Sequence, residues 1–97
     1  MYARMTTFQA RQRMIDSMIS ITQDSLVTVA KARQGFRGGI ALTDRGAGKI
    51  IGLTLWETES DMVSGENDSY LQGQVGSLKD LLADTPIRQH FEVSIQA

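Results

Sequence analysis

The sequence contains no cysteine. That excludes disulfides, thiolate nucleophiles, haem–thiolate ligation and the common zinc sites together. It has one histidine, His90, and one tryptophan, Trp56. A Ser-His-Asp arrangement would need His90 and a nucleophile motif that is absent. There is no P-loop, no GxGxxG and no metal-spaced His/Asp/Glu cluster, so neither a cofactor nor a metal is expected. No apolar run approaches the roughly 18 residues of a membrane span, and Met1 to Phe8 lacks the apolar h-region of a signal peptide. The lack of cysteine fits a reducing cytoplasm, the location expected here.

What is present is one small domain, residues 1–97. A chain this short buries only about 60–65% of the surface its unfolded form exposes, so a core shared between two subunits would stabilise it. Apolar residues make up 41% and charged residues 22%, ordinary globular values. The net charge is −1, unevenly spread. Residues 1–50 hold eight Lys/Arg against three Asp/Glu, and residues 51–97 hold two against eight. No run of like charge forms a tail, and in an interleaved fold the two halves sit together and mix their charges.

Residues Tyr2 to Phe8 alternate and read as a strand. From Arg13 the period changes: Ile15, Met18, Ile19, Thr22, Leu26 and Val29 make one helical stripe, ending near Ala32 with Gly35 beyond. Phe36 to Asp44 and Lys49 to Glu57 are two strands joined by Arg45-Gly46-Ala47-Gly48, a hairpin turn. Thr58, three residues before Asp61, is an N-cap. Gly65 is expected to break the following helix into a short turn (Glu59 to Ser64) and a longer helix from Asn67 to Ala83, striped by Leu71, Val75, Leu78 and Leu82. Asp84-Thr85-Pro86 stops it, and Ile87 to Gln96 is the last strand. The order β-α-β-β-α-β predicts an α+β, ferredoxin-like domain with a four-stranded antiparallel sheet and both helices on one face.

Alternation divides the strands into two faces. One is apolar: Ala3, Met5, Ile40, Leu42, Ile51, Leu53, Leu55, Phe91, Val93 and Ile95. The other is mixed and carries Arg4, Thr6, Phe8, Arg37, Ile50, Thr54, Trp56, His90 and Glu92. Which of the two meets the helices is left open by the pattern. The aromatic and aliphatic members of the mixed set point to burial against a partner sheet or around a small ligand.

"ARMTTF" on the first strand, "GFRGG" opening the second, "LTLWETES" leading out of the third and "HFEVSI" on the last resemble the antibiotic biosynthesis monooxygenase (ABM) domain over essentially the whole chain. The resemblance implies a dimeric α+β barrel, in which two sheets associate with the helices outside. It also implies a small apolar pocket in each subunit and often no cofactor. The similar anthrone-oxidising members keep a Trp at the position of Trp56, with an Asn, a Tyr and an Arg at places that here hold Gly52, Met62 and Gly76. The residues of haem-degrading members fall on Ala3, Gly65 and Val75, which argues against haem degradation.

His90, the one side chain with an unperturbed pKa near neutrality, is the candidate base; a structural histidine at a strand start is the plainer alternative. Arg4 and Arg37 suit a substrate carboxylate or phenolate, or an interface salt bridge. Trp56 suits stacking on an aromatic substrate, or core packing. Thr54 and Tyr70 complete the candidate substrate contacts. An RNA-recognition domain shares this strand order, but the third strand lacks its aromatics and the pI is about 5.7. No nucleic-acid or membrane partner is expected. The residues and the resemblance together imply a homodimer that acts on a small aromatic or polyketide-like molecule as a cofactor-independent monooxygenase or isomerase. The alternative is a non-catalytic dimeric barrel that binds a small metabolite or serves only assembly.

Overall fold

The computed structural model describes residues 1–66 and 78–97. Strand β1 (Tyr2–Gln9) leads to α1 (Ile15–Ile21), a π-helical segment (Thr22–Leu26) and α2 (Val27–Lys31). Strands β2 (Phe36–Asp44) and β3 (Lys49–Trp56) form a hairpin, α3 (Glu59–Glu66) follows, and a 3₁₀ turn (Lys79–Leu81) precedes β4 (Ile87–Glu92). The strands make one antiparallel sheet of order β2-β3-β1-β4. This is the expected α+β architecture.

Local chemistry accounts for most boundaries. The first helix begins at Ile15 rather than Arg13, because Arg13 lies at φ 68°, a left-handed conformation no α-helix accepts. Its middle widens into the π-helical segment, where Thr28 Oγ1 donates back to the Asp24 carbonyl at 3.3 Å. Asp44 shapes the hairpin turn by accepting from the Ala47 N–H at 3.1 Å, and Gly48 supplies φ 68°. Thr58 caps α3 by accepting from the Asp61 N–H at 3.0 Å, with Glu59 and Asp61 placed favourably in the first turn.

Three expectations need correction. Helix α3 does not end at Ser64 but runs through Gly65 to Glu66. A single glycine costs about 1 kcal/mol in a helix interior, too little to break a capped one. The expected helix from Asn67 to Ala83 lies outside the described residues up to residue 77. Its last part is a 3₁₀ turn, after which Leu82 bridges Ala10. The Ala83 N–H donates to Gln9 O at 2.7 Å, so the end of β1 captures this backbone. Strand β4 ends at Glu92, not Gln96, because its partner β1 runs out: Glu92 faces Tyr2, and a last bond joins Val93 N to Met1 O at 2.9 Å. Ile95 therefore lies beyond the sheet.

The mixed face is the one that meets the helices. Phe8 and Ile50 pack with Met18, Leu78 and Leu82, and Ile15 and Ile19 close over them. The apolar face is left open. In register across the sheet it presents Phe91, Ala3 and Leu55 in one row, and Met5, Leu53 and Ile40 in the next. Ile87, Thr7, Ile51 and Leu42 make a third. Ile40, Leu42, Ile87 and Phe91 are each about half exposed. The charges of the two halves do mix, as Arg4–Glu66 and Arg37–Glu57 pair across them.

Two substitutions test this arrangement by chemical denaturation. Gly35 sits at φ 80°, its carbonyl accepts from the Glu57 N–H at 2.8 Å, and an added Cβ would collide with the Asp61 carboxylate. Gly35→Ala should therefore lower stability by more than about 1 kcal/mol. Met18→Ala, at a side chain only 1% exposed, should cost about 2–5 kcal/mol. A neutral result at Gly35 would contradict the close approach of Gly35 to Asp61 of α3.

Candidate functional site

On the helix-covered face, antiparallel register puts Arg4 of β1 beside Thr54 of β3 and His90 of β4. The next pair along is Thr6 and Arg88, so Arg88 and His90 project from β4 on the same side as Arg4. The last residue of α3, Glu66, comes down onto this row. Its carboxylate lies 3.5 Å from Arg4 Nη1 and 3.8 Å from Arg88 Nη1, and it is hydrogen-bonded to His90 Nε2. One carboxylate, 11% exposed, thus gathers three basic side chains from two strands.

Arg4 is the buried member. Its guanidinium lies 5.1 Å from the centroid of the Trp56 ring and donates to the Met62 carbonyl at 3.2 Å. Burial pushes its pKa down, Glu66 opposes that, and Arg88 adds to the lowering. An arginine stays protonated all the same, so Arg4 carries its charge in the interior. Trp56, 1% exposed, donates through Nε1 to Thr54 Oγ1 at 2.9 Å and meets Phe36 edge-on at 5.5 Å.

His90 is half exposed, at the β4 edge. A carboxylate can only accept, so the Nε2 facing Glu66 carries a proton, and Nδ1 keeps the lone pair in the neutral ring. A carboxylate in that position can orient an imidazole ring. A cleft of about 180 Å³ adjoins it, lined by Tyr2, Glu59, Met62, His90, Phe91 and Glu92. A second cleft of about 280 Å³, lined by Ala32, Arg33, Gln34, Asp61 and Ser64, lies between the end of α2 and α3. Both are smaller than the roughly 300 Å³ at which ordinary small-molecule sites begin.

Of the residues expected from sequence, the fold brings together Arg4, Thr54, Trp56 and His90. Arg37 pairs elsewhere, with Glu57 at 2.7 Å, and both are about half exposed. Tyr70 lies outside the described residues. Sequence reasoning missed Glu66 and Arg88. Arg88 was legible, since it stands two residues from His90 and shares its face. Glu66 was not, because its place depends on the helix running past Gly65.

Among the described residues no group of His, Asp or Glu side chains could hold a metal ion, and no helix is long and apolar enough to cross a membrane.

Comparison with solved structures gives strong matches over almost the whole chain. Rv0793 from Mycobacterium tuberculosis superposes with a TM-score of 0.82 at 11% identity, covering 99% of this chain and 97% of that one. SnoaB, a cofactor-independent oxygenase from Streptomyces nogalater, matches with a TM-score of 0.83 at 11% identity, covering 98% and 94%. A structure described as an antibiotic biosynthesis monooxygenase matches at 0.81 and 9%, covering 98% and 100%. The chain has the ABM fold. At these identities the likeness is one of fold alone. No family model matches the sequence. Among curated proteins, the uncharacterized proteins MT2634 and Rv2557 of M. tuberculosis are 30% identical over 97 residues. That alignment takes in 96% of this chain but spans only 41% of their length.

The cluster makes a stability prediction. Glu66→Gln removes the carboxylate and leaves the buried Arg4 charge without its ion-pair partner, which should cost about 3 kcal/mol in thermal or denaturant unfolding. The double change Glu66→Gln with Arg4→Met should recover part of that loss. Additive losses in the two variants would mean that the pair is not coupled.

Proposed function

We propose that this ABM-fold chain forms a homodimer that oxygenates a small aromatic, polyketide-like molecule without a cofactor, with His90 as the base. The observation that carries the reading is the Glu66–His90 pair, a proton acceptor with its orienting acid, at the mouth of a cleft in a fold shared with a cofactor-independent oxygenase. An anthrone-type substrate has an acidic C–H. Its removal by His90 leaves an electron-rich anion able to reduce dioxygen itself. One oxygen atom becomes the carbonyl that replaces the methylene, and the other leaves as water. Arg4, Thr54 and Trp56 form the fixed wall behind the base. Arg37 and Tyr70 belong to the proposal as further substrate contacts.

The open apolar face supports the homodimer. Ile40, Leu42, Ile87 and Phe91 lie on one flat surface opposite the helices, and a second sheet packed there would remove them from water. A second reading, a non-catalytic barrel serving binding or assembly, is favoured by one observation. Trp56, Met18, Met62 and Leu78 fill the interior, and the cleft at His90 holds only about 180 Å³.

Oxygen uptake separates the readings. The wild-type protein, incubated aerobically with anthrones, hydroquinones and flavonoid-like phenols, should consume oxygen without added cofactor. His90→Ala should slow this by about 10²–10⁴-fold. Trp56→Phe, which removes the Nε1 donor to Thr54, should slow it far less. Full activity in His90→Ala would sink the base assignment, and no uptake with any compound would leave the non-catalytic reading. For assembly, sedimentation at micromolar concentration should give about twice the 10.7 kDa chain mass. Leu42→Lys should return the protein to a monomer, and a monomeric wild type would remove the shared barrel.

A further inference from the structure

Among the described residues the ion cluster holds more positive than negative charge. Arg4 and Arg88 are both cationic, and among the described residues Glu66 is the only carboxylate within ion-pair distance of either. His90 shares the same carboxylate. With His90 neutral the group carries a net charge of +1, and with His90 protonated more. Glu59 and Glu92 line the adjoining cleft without pairing to any of the three bases.

The three bases are not equivalent. Arg4 is committed: it covers Trp56, donates to Met62 O and is 10% exposed. His90 is committed through Nε2. Arg88 is different. It is 45% exposed, and its ion-pair partner among the described residues, Glu66 Oε2, stands at 3.8 Å, beyond hydrogen-bond distance. Its N–H donors are free to turn outward in the planar fork that matches a carboxylate.

We propose that Arg88 is the docking residue for an anionic ligand, and that the molecule this site takes carries a carboxylate ortho to, or near, the hydroxyl of an aromatic ring. The carboxylate sits on the Arg88 fork, completing the charge of the cluster, and the phenolic end lies toward His90. This rests on the Glu66–His90 row being the ligand site, and it narrows the substrate class from aromatic molecules in general to acidic ones. A neutral analogue of the same shape leaves the excess positive charge unmatched and binds more weakly.

The probes are salicylate and its neutral near-isostere salicylamide, measured by isothermal titration calorimetry at low and moderate salt. Salicylate should bind at least tenfold more tightly than salicylamide, and its affinity should fall as salt rises. Arg88→Gln should abolish that preference while leaving salicylamide binding unchanged. Arg88→Lys, which keeps the charge but not the fork, should retain only part of it. Arg88 is half exposed, so these variants should fold, and matching thermal unfolding of wild type and variants checks that they do. Equal affinity for the two compounds, an undiminished preference in Arg88→Gln, or binding of neither overturns the proposal. Oxygen uptake is read separately. Acid-selective binding without turnover counts against the oxygenase alone. Turnover of neutral phenols with no acid preference counts against the anion site alone.

Discussion

A charged guanidinium in the interior is the constraint around which the helix-covered face is organised. Arg4 on the central strand β1 cannot reach bulk water, so the fold must supply partners in place. It does so from three directions: the Glu66 carboxylate and the Met62 carbonyl from α3, and the Trp56 ring from β3. These contacts fix where α3 lies on the sheet. They also fix the tryptophan, whose Nε1 is held by Thr54 and whose edge meets Phe36. Such an ion pair is a weak source of net stability but a strong source of geometry, because few arrangements satisfy it.

The same constraint places the candidate chemistry. Glu66 is drawn down to neutralise Arg4, and from there it reaches His90 on the neighbouring strand. In the proposed function the acid that orients the base is thus also the structural partner of a buried cation. On that reading a change at Glu66 acts on folding and on activity together. Arg88, two residues from His90 on the same strand, lies at the solvent side of this arrangement and shares the same carboxylate.

The two faces of the sheet show where pattern alone stops. Alternation separated an apolar set from a mixed one and left open which of them the helices cover. They cover the mixed set. Phe8, Ile50 and Trp56 are enough to build the helix-side core with Met18 and Met62, while Ile40, Leu42, Ile87 and Phe91 face outward. A sheet with an apolar outer face is complete only when that face is covered, which is why the proposed dimer and the fold are parts of one problem.

The sequence by itself determined the order of the strands along the chain, the four-strand antiparallel sheet, the Thr58 cap, the turn at Gly48 and the face taken by most residues of the paired strands. Those depend on short-range chemistry: side-chain alternation, positive-φ positions, capping and turn residues. It also singled out Arg4, Thr54, Trp56 and His90. Only the tertiary structure decided which face the helices cover, that β4 stops with its partner at Glu92, and that Glu66 of α3 joins Arg4, Arg88 and His90. These are decided by packing and by the electrostatic demand of one buried charge. Both act between residues dozens of positions apart, where periodicity carries no signal.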